Sequence, residues 1–374
     1  MNQLSEEVSQ KLELIRNALT EAEAQGLRLR GTDWFAWATA GGSNTVLLTA
    51  ETGVAEVLVT AEDAWILTDE IEAQRLKDEE IPGNFQFYVN PWADAQKRES
   101  FVREATNGGE ILSDRPSVSA PSPARSIPHV EKRLPASLQQ HKRTLMSSEL
   151  ERYRQLGRQA SEAMTEVLKA AKPDWTEYQL AGAGAEALWA RGIHPALTLV
   201  AGERRLPLYR HATATGEEIG RQAMLVFCAR RHGLYANLTR FVSFGASDEH
   251  AKLHGDVRQI EAEVLNFLKP GIALNAVYDT LANTYQKHGY HNAMREHHQG
   301  GTTGYLAREV VANPKTNDTL EENMAVAWNP SLPGAKIEDT FVILDNGLEN
   351  LTFDPNFPSV EVAGRLRPVP LEIG

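Results

Sequence analysis

The chain contains a single cysteine, Cys228, among its 374 residues. One cysteine cannot form an intramolecular disulfide, and it cannot supply the several thiolates of a cysteine-based zinc site. No apolar run approaches the roughly 20 residues that a membrane-spanning helix needs. Positive charge is also scarce, because 38 Lys and Arg stand against 50 Asp and Glu, giving a net charge of −12. This balance argues against nucleic acid and against an anionic membrane as partners.

Two further absences narrow the class of protein. Residues 1–26 have the pattern of an acidic amphipathic helix and not of a signal peptide, so we expect a cytoplasmic location. Gly41 and Gly42 lack the spacing of a phosphate-binding loop and the helix that would follow it. The composition, 42% hydrophobic and 24% charged, is that of an ordinary soluble protein that is long enough for two domains.

The first 140 residues predict a small α/β domain, because short strand-like runs alternate with helical ones. The expected strands include Trp34–Ala38 and Thr45–Leu48. Residues 114–137 hold five prolines among serines, which is typical of a linker or a surface loop. We therefore predict domains at residues 1–140 and 141–374.

The second domain is expected to mix long helices with a few strands. A helix with apolar residues three and four apart runs from Leu150 to Val167. Asp174–Glu177 fits a capping box for the next helix. The centre of the domain is the hairpin Met224–Gly245, with a polar break near Gly233. Further helices are expected at 248–268 and 275–288, and further strands at 196–201, 325–328 and 340–344.

An ordered series of short motifs runs through this second domain. Its members are Lys172–Glu177 (KPDWTE), the loop with His211, Asn237–Arg240 (NLTR), Lys269–Gly271 (KPG), His297–Tyr305 (HHQGGTTGY), Trp328–Pro330 (WNP) and Lys336–Thr340 (KIEDT). From residue 142 to 345 their order and spacing resemble the "pita-bread" family of creatinases, prolidases, aminopeptidases P and methionine aminopeptidases. The resemblance implies an α/β N-terminal domain of the creatinase and prolidase type, followed by an α+β pita-bread domain.

The peptidases of that family hold two divalent metals on two Asp, one His and two Glu, because neighbouring dications need several carboxylates to offset their repulsion. By position, the aspartates fall on Val226 or a neighbour and on Asn237, and the first glutamate falls on Asn329. The metal-binding histidine falls within His297–Gly301. Only the second glutamate is present, as Glu338. The sequence therefore predicts no metal ligand set of this kind and no cofactor.

The creatinase branch of the family implies a different site, in which a histidine acts as acid and base without metal. His211, in the loop before the hairpin, matches that histidine. His297 and Arg308 match a histidine and an arginine that bind substrate, and Glu338 matches a glutamate that holds a guanidinium group. Thr239 stands where creatinase has a glutamate, so creatine itself is not the expected substrate. Histidine exchanges protons near neutral pH, and arginine clamps carboxylates in a bidentate fashion.

Several further residues are expected to line the substrate cleft: His298, Asn237, Thr239, Asn329, Tyr305 and Cys228. Simpler interpretations stand beside these assignments. Cys228 could be a nucleophile, but a lone cysteine is more often a small core residue. The segment 288–298 (HGYHNAMREHH) could hold a single metal ion or carry solvated histidines. Trp34, Phe35 and Trp37 fit a core or, as the resemblance implies, a homodimer interface that reaches the partner's site.

Three functions remain open at this level. The first is a metal-independent, creatinase-like hydrolase of a C–N bond in a small carboxylated guanidino, amidine or amide compound, with His211 as the general acid and base. The second is an Xaa-Pro aminopeptidase or dipeptidase with a divalent metal on a reassembled site. The third is a catalytically silent binding protein that has kept the fold. A small-molecule substrate is the expected partner in each case.

Overall fold

The structure, a computed structural model, describes residues 3–117, 131–245 and 250–374. Residues 118–130, which make up most of the predicted linker, lie outside the described residues. So does Asp248, the predicted first residue of a helix.

The chain divides into two compact units. The first comprises Met1–Lys142 and Met146–Glu149, and the second comprises Arg143–Leu145 and Leu150–Gly374. The division falls a few residues beyond the boundary that the composition predicted.

The first unit is built on one six-stranded sheet. Its strands are β1 (Gly26–Gly31), β2 (Thr52–Val59), β3 (Ala64–Asp69), β4 (Gln86–Asn90), β5 (Ile111–Ser113) and β6 (Glu131–Arg133), in the order β4-β3-β2-β1-β5-β6. The helices are α1 (Gln3–Glu21), α2 (Thr32–Ala38), α3 (Ala73–Arg75), which continues as a π-helical turn at Leu76–Glu80, and α4 (Ala95–Ala105), with α5 (Ala136–Arg143) at the division. β1 pairs antiparallel with β2 and parallel with β5, so the sheet is mixed as α/β patterning predicts.

Two of the expected strands of this unit are wrong. Residues 34–38 belong to the helix α2, where Trp34 and Trp37 are buried and pack edge to face with ring centroids 5.4 Å apart. The aromatic content predicted a strand, but burial of both rings in the core outweighs this weak preference. Residues 45–48 form no strand, and the side chain of Leu47 is 66% exposed.

The second unit contains longer helices and two main sheets. Its helices are α6 (Ser147–Ala170), α7 (Glu177–Trp189), α8 (Ala251–Phe267), α9 (Leu274–Lys287) and α10 (Ala293–Glu296). Its strands are β7 (His194–Gly202), β8 (Gln222–Arg231), β9 (Leu234–Phe244), β10 (Gly300–Thr303), β11 (Val310–Val311), β12 (Ala325–Trp328), β13 (Ser331–Leu332), β14 (Ala335–Lys336), β15 (Asp339–Leu344), β16 (Gly347–Asn350), β17 (Ser359–Val362), β18 (Arg365–Pro368) and β19 (Leu371–Ile373). Across the described ranges, no helix combines the length and the apolar character that crossing a membrane requires.

The two sheets of this unit meet where β9 lies against β15. One has the order β19-β9-β8-β7, and the other has the order β11-β10-β12-β15-β16. The backbone N–H of Thr239 donates to the carbonyl of Glu338 at 3.0 Å, and the N–H of Asn237 donates to the Thr340 hydroxyl at 2.8 Å. These bonds fix β9 against the segment that leads into β15.

The hairpin of β8 and β9 forms as predicted, and its turn is two residues long. Only His232 and Gly233 connect the strands, with φ angles of 51° and 78°. Two positive φ angles define a type I′ turn, whose twist matches that of the strands it joins. The register sets Val226 opposite Thr239 and Cys228 opposite Asn237, so these four side chains share one face.

The capping box of α7 forms two residues later than predicted. Thr176 is the N-cap, and its hydroxyl accepts from the N–H of Gln179 while the Gln179 side chain accepts from the N–H of Thr176. Asp174 is therefore not the cap. Glu177, the expected partner of the box, is instead the first residue of α7, and its buried carboxylate accepts hydrogen bonds from the loop that carries His211.

Candidate active site

Three histidines meet beside the face that β8 and β9 present. Nε2 of His211 lies 3.0 Å from Nε2 of His297. The rings of His297 and His298 are stacked, with centroids 4.7 Å apart and planes 18° apart. His297 is buried, whereas His211 and His298 are exposed. Because two Nε2 atoms face each other, one ring donates a proton and the other accepts it.

The neighbours of these histidines hold the two segments together. Arg210, just before His211, forms an ion pair with Glu296, just before His297, with 2.5 Å between Nη2 and Oε2. The contact is partly exposed, so its contribution to stability is small. Its effect is geometric, because it ties the loop to the end of α10 at the residues that precede the histidine pair.

A buried carboxylate anchors the rest of the loop. Glu177 is 0% exposed and accepts from the N–H of Gly202 at 2.9 Å and from the N–H and hydroxyl of Thr215 at 2.9 and 2.8 Å. It also pairs with Arg205, which in turn donates to the carbonyl of Thr213. The path of the loop on both sides of His211 is therefore set by one side chain of α7.

The surroundings keep the imidazoles neutral. Burial, with Lys336 next in weight, lowers the pKa of His297 to about 2. Burial and then Arg308 lower the pKa of His298 to about 4. The pKa of His211 is also lowered, by partial burial first and then by Lys336, while Glu338 opposes the shift. A neutral imidazole can accept a proton at its free nitrogen, and the imidazolium so formed can give the proton up again. The lowered pKa makes each ring a weaker base and its imidazolium a stronger acid than in free histidine.

A buried group of charges lies next to the histidines. The Glu338 carboxylate accepts from Arg308 Nη2 at 2.5 Å, from Lys336 Nζ at 3.1 Å and from the hydroxyl of Thr239 at 3.2 Å. Burial alone would raise the pKa of Glu338, but Lys336 and then Arg308 outweigh it and lower the pKa to about 2. Two cations thus enclose one carboxylate, and the group carries a net charge of +1.

Lys336 was not among the residues expected from the sequence. The available signal was its spacing, because Lys336 and Glu338 are two residues apart in an extended segment and so point to the same side.

Neutral polar side chains form the floor of the site. Asn237 donates from Nδ2 to the hydroxyl of Thr303 at 3.1 Å, and the backbone N–H of Asn329 donates to the carbonyl of Gln299 at 3.0 Å. Within the described part of the chain, the side-chain oxygens of Asn237 and Asn329 are buried without a hydrogen-bond partner. Cys228 lies on the same face, and burial and then Glu338 raise its pKa to about 11. A thiol that stays protonated at neutral pH is a poor nucleophile.

The remaining predicted residue is placed differently. The Tyr305 side chain is completely buried, so its assignment as a substrate ligand stays a prediction.

A glycine of the same motif allows two strands to lie close together. Gly300 has a φ of 111°, and a Cβ there would overlap the carbonyl oxygen of Ala327 in β12. Only glycine lets β10 pass this close to its neighbour.

Residues 151–345 match the family model described as metallopeptidase family M24. The chain belongs to metallopeptidase family M24. This confirms the expected membership in the pita-bread family. It also confirms the expected fold, an α/β N-terminal domain followed by a pita-bread domain.

Relatives and solved structures agree with the family. An uncharacterized peptidase of Staphylococcus saprophyticus is 30% identical over 127 residues, which is 31% of this chain and 35% of the relative. The match thus spans about a third of that relative's length. An Xaa-Pro dipeptidase from Bacillus anthracis has a TM-score of 0.74 at 17% identity, covering 98% of this chain and 100% of that one. A prolidase from Pyrococcus horikoshii has a TM-score of 0.76 at 19% identity, covering 92% and 98%. At these identities the structures show the fold alone.

The paired metals of the family's peptidases do not fit the residues of this site. Val226 and its neighbours in β8 offer no carboxylate, and Asn237 and Asn329 offer neutral oxygens in place of carboxylates. The one remaining carboxylate, Glu338, is already neutralised by Arg308 and Lys336. Two dications placed here would add four positive charges to a group that is already positive. No step of the chemistry below is therefore assigned to such a pair.

Proposed function

We propose that the second unit hydrolyses a C–N bond in a small substrate that carries a carboxylate. The observation that carries the proposal is the hydrogen-bonded pair of His211 and His297 next to a charge group of net +1. Membership in a hydrolase family supports the class of reaction. Dipeptides, guanidino acids and amidine acids all belong to this substrate class.

The histidine pair can supply both proton transfers that hydrolysis needs. Water gains nucleophilicity when a base takes its proton, and the nitrogen leaves as an amine once an acid gives it one. His211 is the exposed member of the pair, so it is the one that we assign to contact water and the leaving nitrogen. His297 is buried and lies within hydrogen-bond distance of His211, with 3.0 Å between the two Nε2 atoms.

The charges support a carboxylated substrate, and the unpartnered polar atoms support a substrate that also carries N–H donors. Arg308 and Lys336 together exceed the charge of Glu338 by one, so an incoming carboxylate would neutralise the group. Among the described residues, Arg308 Nε and the side-chain oxygens of Asn237 and Asn329 are buried without partners. Buried polar groups are nearly always hydrogen-bonded. Arg308 Nε–H would donate to the substrate carboxylate, whereas the two asparagine oxygens accept and would take N–H donors of the substrate.

An Xaa-Pro dipeptidase or aminopeptidase that uses divalent metal is the second candidate. The family and the name of the Bacillus anthracis neighbour favour it, and they make Xaa-Pro dipeptides the first substrates to assay. The ligand set argues against its metal requirement.

The two candidates differ in their response to chelation. Protein treated with EDTA is assayed for product from Xaa-Pro dipeptides, guanidino acids and cyclic amidines, with and without added Mn²⁺ or Co²⁺. We expect turnover to survive chelation. Turnover that appears only with two bound metal equivalents would establish the second candidate instead. Ligand-induced thermal shifts without any product would indicate a binding protein.

The role of His211 has its own test. We expect His211→Ala to lower kcat by about 10²- to 10⁴-fold, because this is the usual contribution of one acid–base group. The thermal shift caused by substrate should persist, since Arg308 and Lys336 are unchanged. His288→Ala is the matched control, because His288 lies on α9's C-terminal side next to Glu263 and outside the site. Full turnover in His211→Ala would refute the mechanism.

A further inference from the structure

The three imidazoles of the site offer nitrogen ligands that converge on one point. One ligand nitrogen from each of His211, His297 and His298 can be chosen so that all three lie within 4.8 Å of one another. We propose that these three histidines bind a single divalent transition-metal ion of the Zn²⁺, Ni²⁺ or Co²⁺ kind. The donor set has three nitrogens and no carboxylate, so it differs in chemistry from the paired-metal set of the family.

The distances agree with one shared ion. A zinc–imidazole bond is about 2.0–2.1 Å long, so two nitrogens on one ion lie roughly 3.0–3.4 Å apart. Nε2 of His211 and Nε2 of His297 already lie 3.0 Å apart. The third nitrogen lies within 4.8 Å of the other two, so it has to approach them by at most about 1.4–1.8 Å to share the ion, and His298 is exposed enough to do so. Imidazole is a ligand that suits zinc, nickel and copper, whereas carboxylate suits manganese and magnesium.

The backbone holds the ligands in place before any ion arrives. Neighbouring residues in an extended chain normally point to opposite sides, yet the rings of His297 and His298 stack at 4.7 Å on one side. The Arg210–Glu296 ion pair joins the residues that precede His211 and His297. Nδ1 of His297 is buried and has no hydrogen-bond partner among the described residues, so this ring is held through Nε2 and not, as a structural histidine usually is, through both nitrogens.

The charge group limits the affinity. Arg308 and Lys336 repel a dication, and Glu338 offsets only one of them. We therefore expect an ion that EDTA removes readily and not a permanently held structural zinc. Binding would also occupy the lone pairs that His211 and His297 need for proton transfer. On the proposed function, metal occupancy and hydrolysis exclude each other, and zinc is an inhibitor.

The test reads binding directly and does not depend on activity. Full-length protein treated with EDTA is titrated with Co²⁺ while the visible ligand-field absorption is recorded, and with Zn²⁺ in a calorimeter. We expect one equivalent in the wild type and at least a tenfold weaker affinity in His211→Asn and in His298→Asn. Both residues are exposed, so the variants should fold, and circular dichroism checks that they do.

His288→Asn is the matched control, because His288 lies near Asp256 and Glu263 and is the obvious adventitious surface site. Its loss should leave the titration unchanged. Unchanged binding in His211→Asn and His298→Asn, or binding abolished in His288→Asn, would overturn the three-histidine site. If hydrolysis is found and saturating Zn²⁺ fails to inhibit it, the proposed exclusion of hydrolysis by bound metal is overturned. If no hydrolysis is found, the titration still tests the metal site by itself.

Discussion

Glu338→Gln distinguishes two interpretations of Glu338. Either its carboxylate is stabilised by neighbouring cations, or it belongs to a metal site without its ions. In a metal site without its ions, clustered carboxylates repel one another, and removing one relieves strain. Glu338 stands in the opposite situation, because Arg308 and Lys336 contact it at 2.5 and 3.1 Å and its side chain is only 4% exposed. Neutralising it leaves the buried Lys336 and the partly buried Arg308 without their counter-ion. We therefore expect the variant to be destabilised.

The size of the effect follows from the pKa. The Glu338 pKa is lowered from 4.5 to about 2, chiefly because Lys336 and Arg308 outweigh the cost of burial. At about 1.4 kcal/mol per pKa unit, the ionised carboxylate contributes about 3 kcal/mol of stability at pH 7. The sign is that of a depressed acid, so this contribution is present above pH 4.5 and is lost as the pH falls to about 2. Breaking a buried pair typically costs about 3–5 kcal/mol, which agrees.

The assay is urea unfolding of EDTA-treated protein, with thermal unfolding beside it. A loss of about 3 kcal/mol in a unit of this size lowers Tm by roughly 6–12 °C. Glu349→Gln is the matched control, since it removes the same charge from an ion pair with Arg154 whose side chains are 32% and 40% exposed. Its cost should be below about 1 kcal/mol. Equal or greater stability of Glu338→Gln would show that Glu338 sits among repelling charges and would refute the charge assignment of the site.

Two further predictions concern the pH dependence of stability and the backbone at the site. Burial, then Arg258 and His250, lower the pKa of His254 to about 3, so the protein loses stability as the pH falls from about 6.5 toward 3. In urea unfolding, His254→Gln should therefore lose about 2 kcal/mol less stability than the wild type between pH 7 and pH 5. An equal loss in both proteins would contradict this prediction. Gly300→Ala should lower the free energy of unfolding by about 3 kcal/mol or more, because φ is 111° and the new Cβ meets the Ala327 carbonyl oxygen. Gly182→Ala is the control on an open face of helix α7, and it should leave stability unchanged or raise it by up to about 1 kcal/mol.

Elements with a strong local pattern could be predicted from the sequence. The apolar runs of β8 and β9 and the strand β12 were found at or near their observed bounds, because burial on both sides leaves long apolar stretches. Turn and cap details failed where several polar residues compete. Asp174 and Thr176 are both residue types that make good N-caps, and the structure has Thr176 in that role.

The site could be predicted in its residues but not in its contacts. The motif series gave His211, His297, Arg308 and Glu338, yet no spacing along the chain encodes the 3.0 Å between two histidines that are 86 residues apart. Lys336 was missed for a related reason. A lysine two residues from a glutamate is common on solvated strands, and only burial of both turns the pair into a charged group within the site.

Charge balance gives the strongest link between the family and this member. A peptidase of the family sets four carboxylates against two dications, so its site is neutral with the metals bound. In this chain three of the four carboxylate positions fall on Val226 or a neighbour, on Asn237 and on Asn329, and the fourth, Glu338, has Lys336 and Arg308 as partners. Each of these changes alone would leave buried charge uncompensated, as carboxylates without metals or as cations without carboxylates. Together they leave one unit of positive charge, which the carboxylate of the proposed substrate would neutralise.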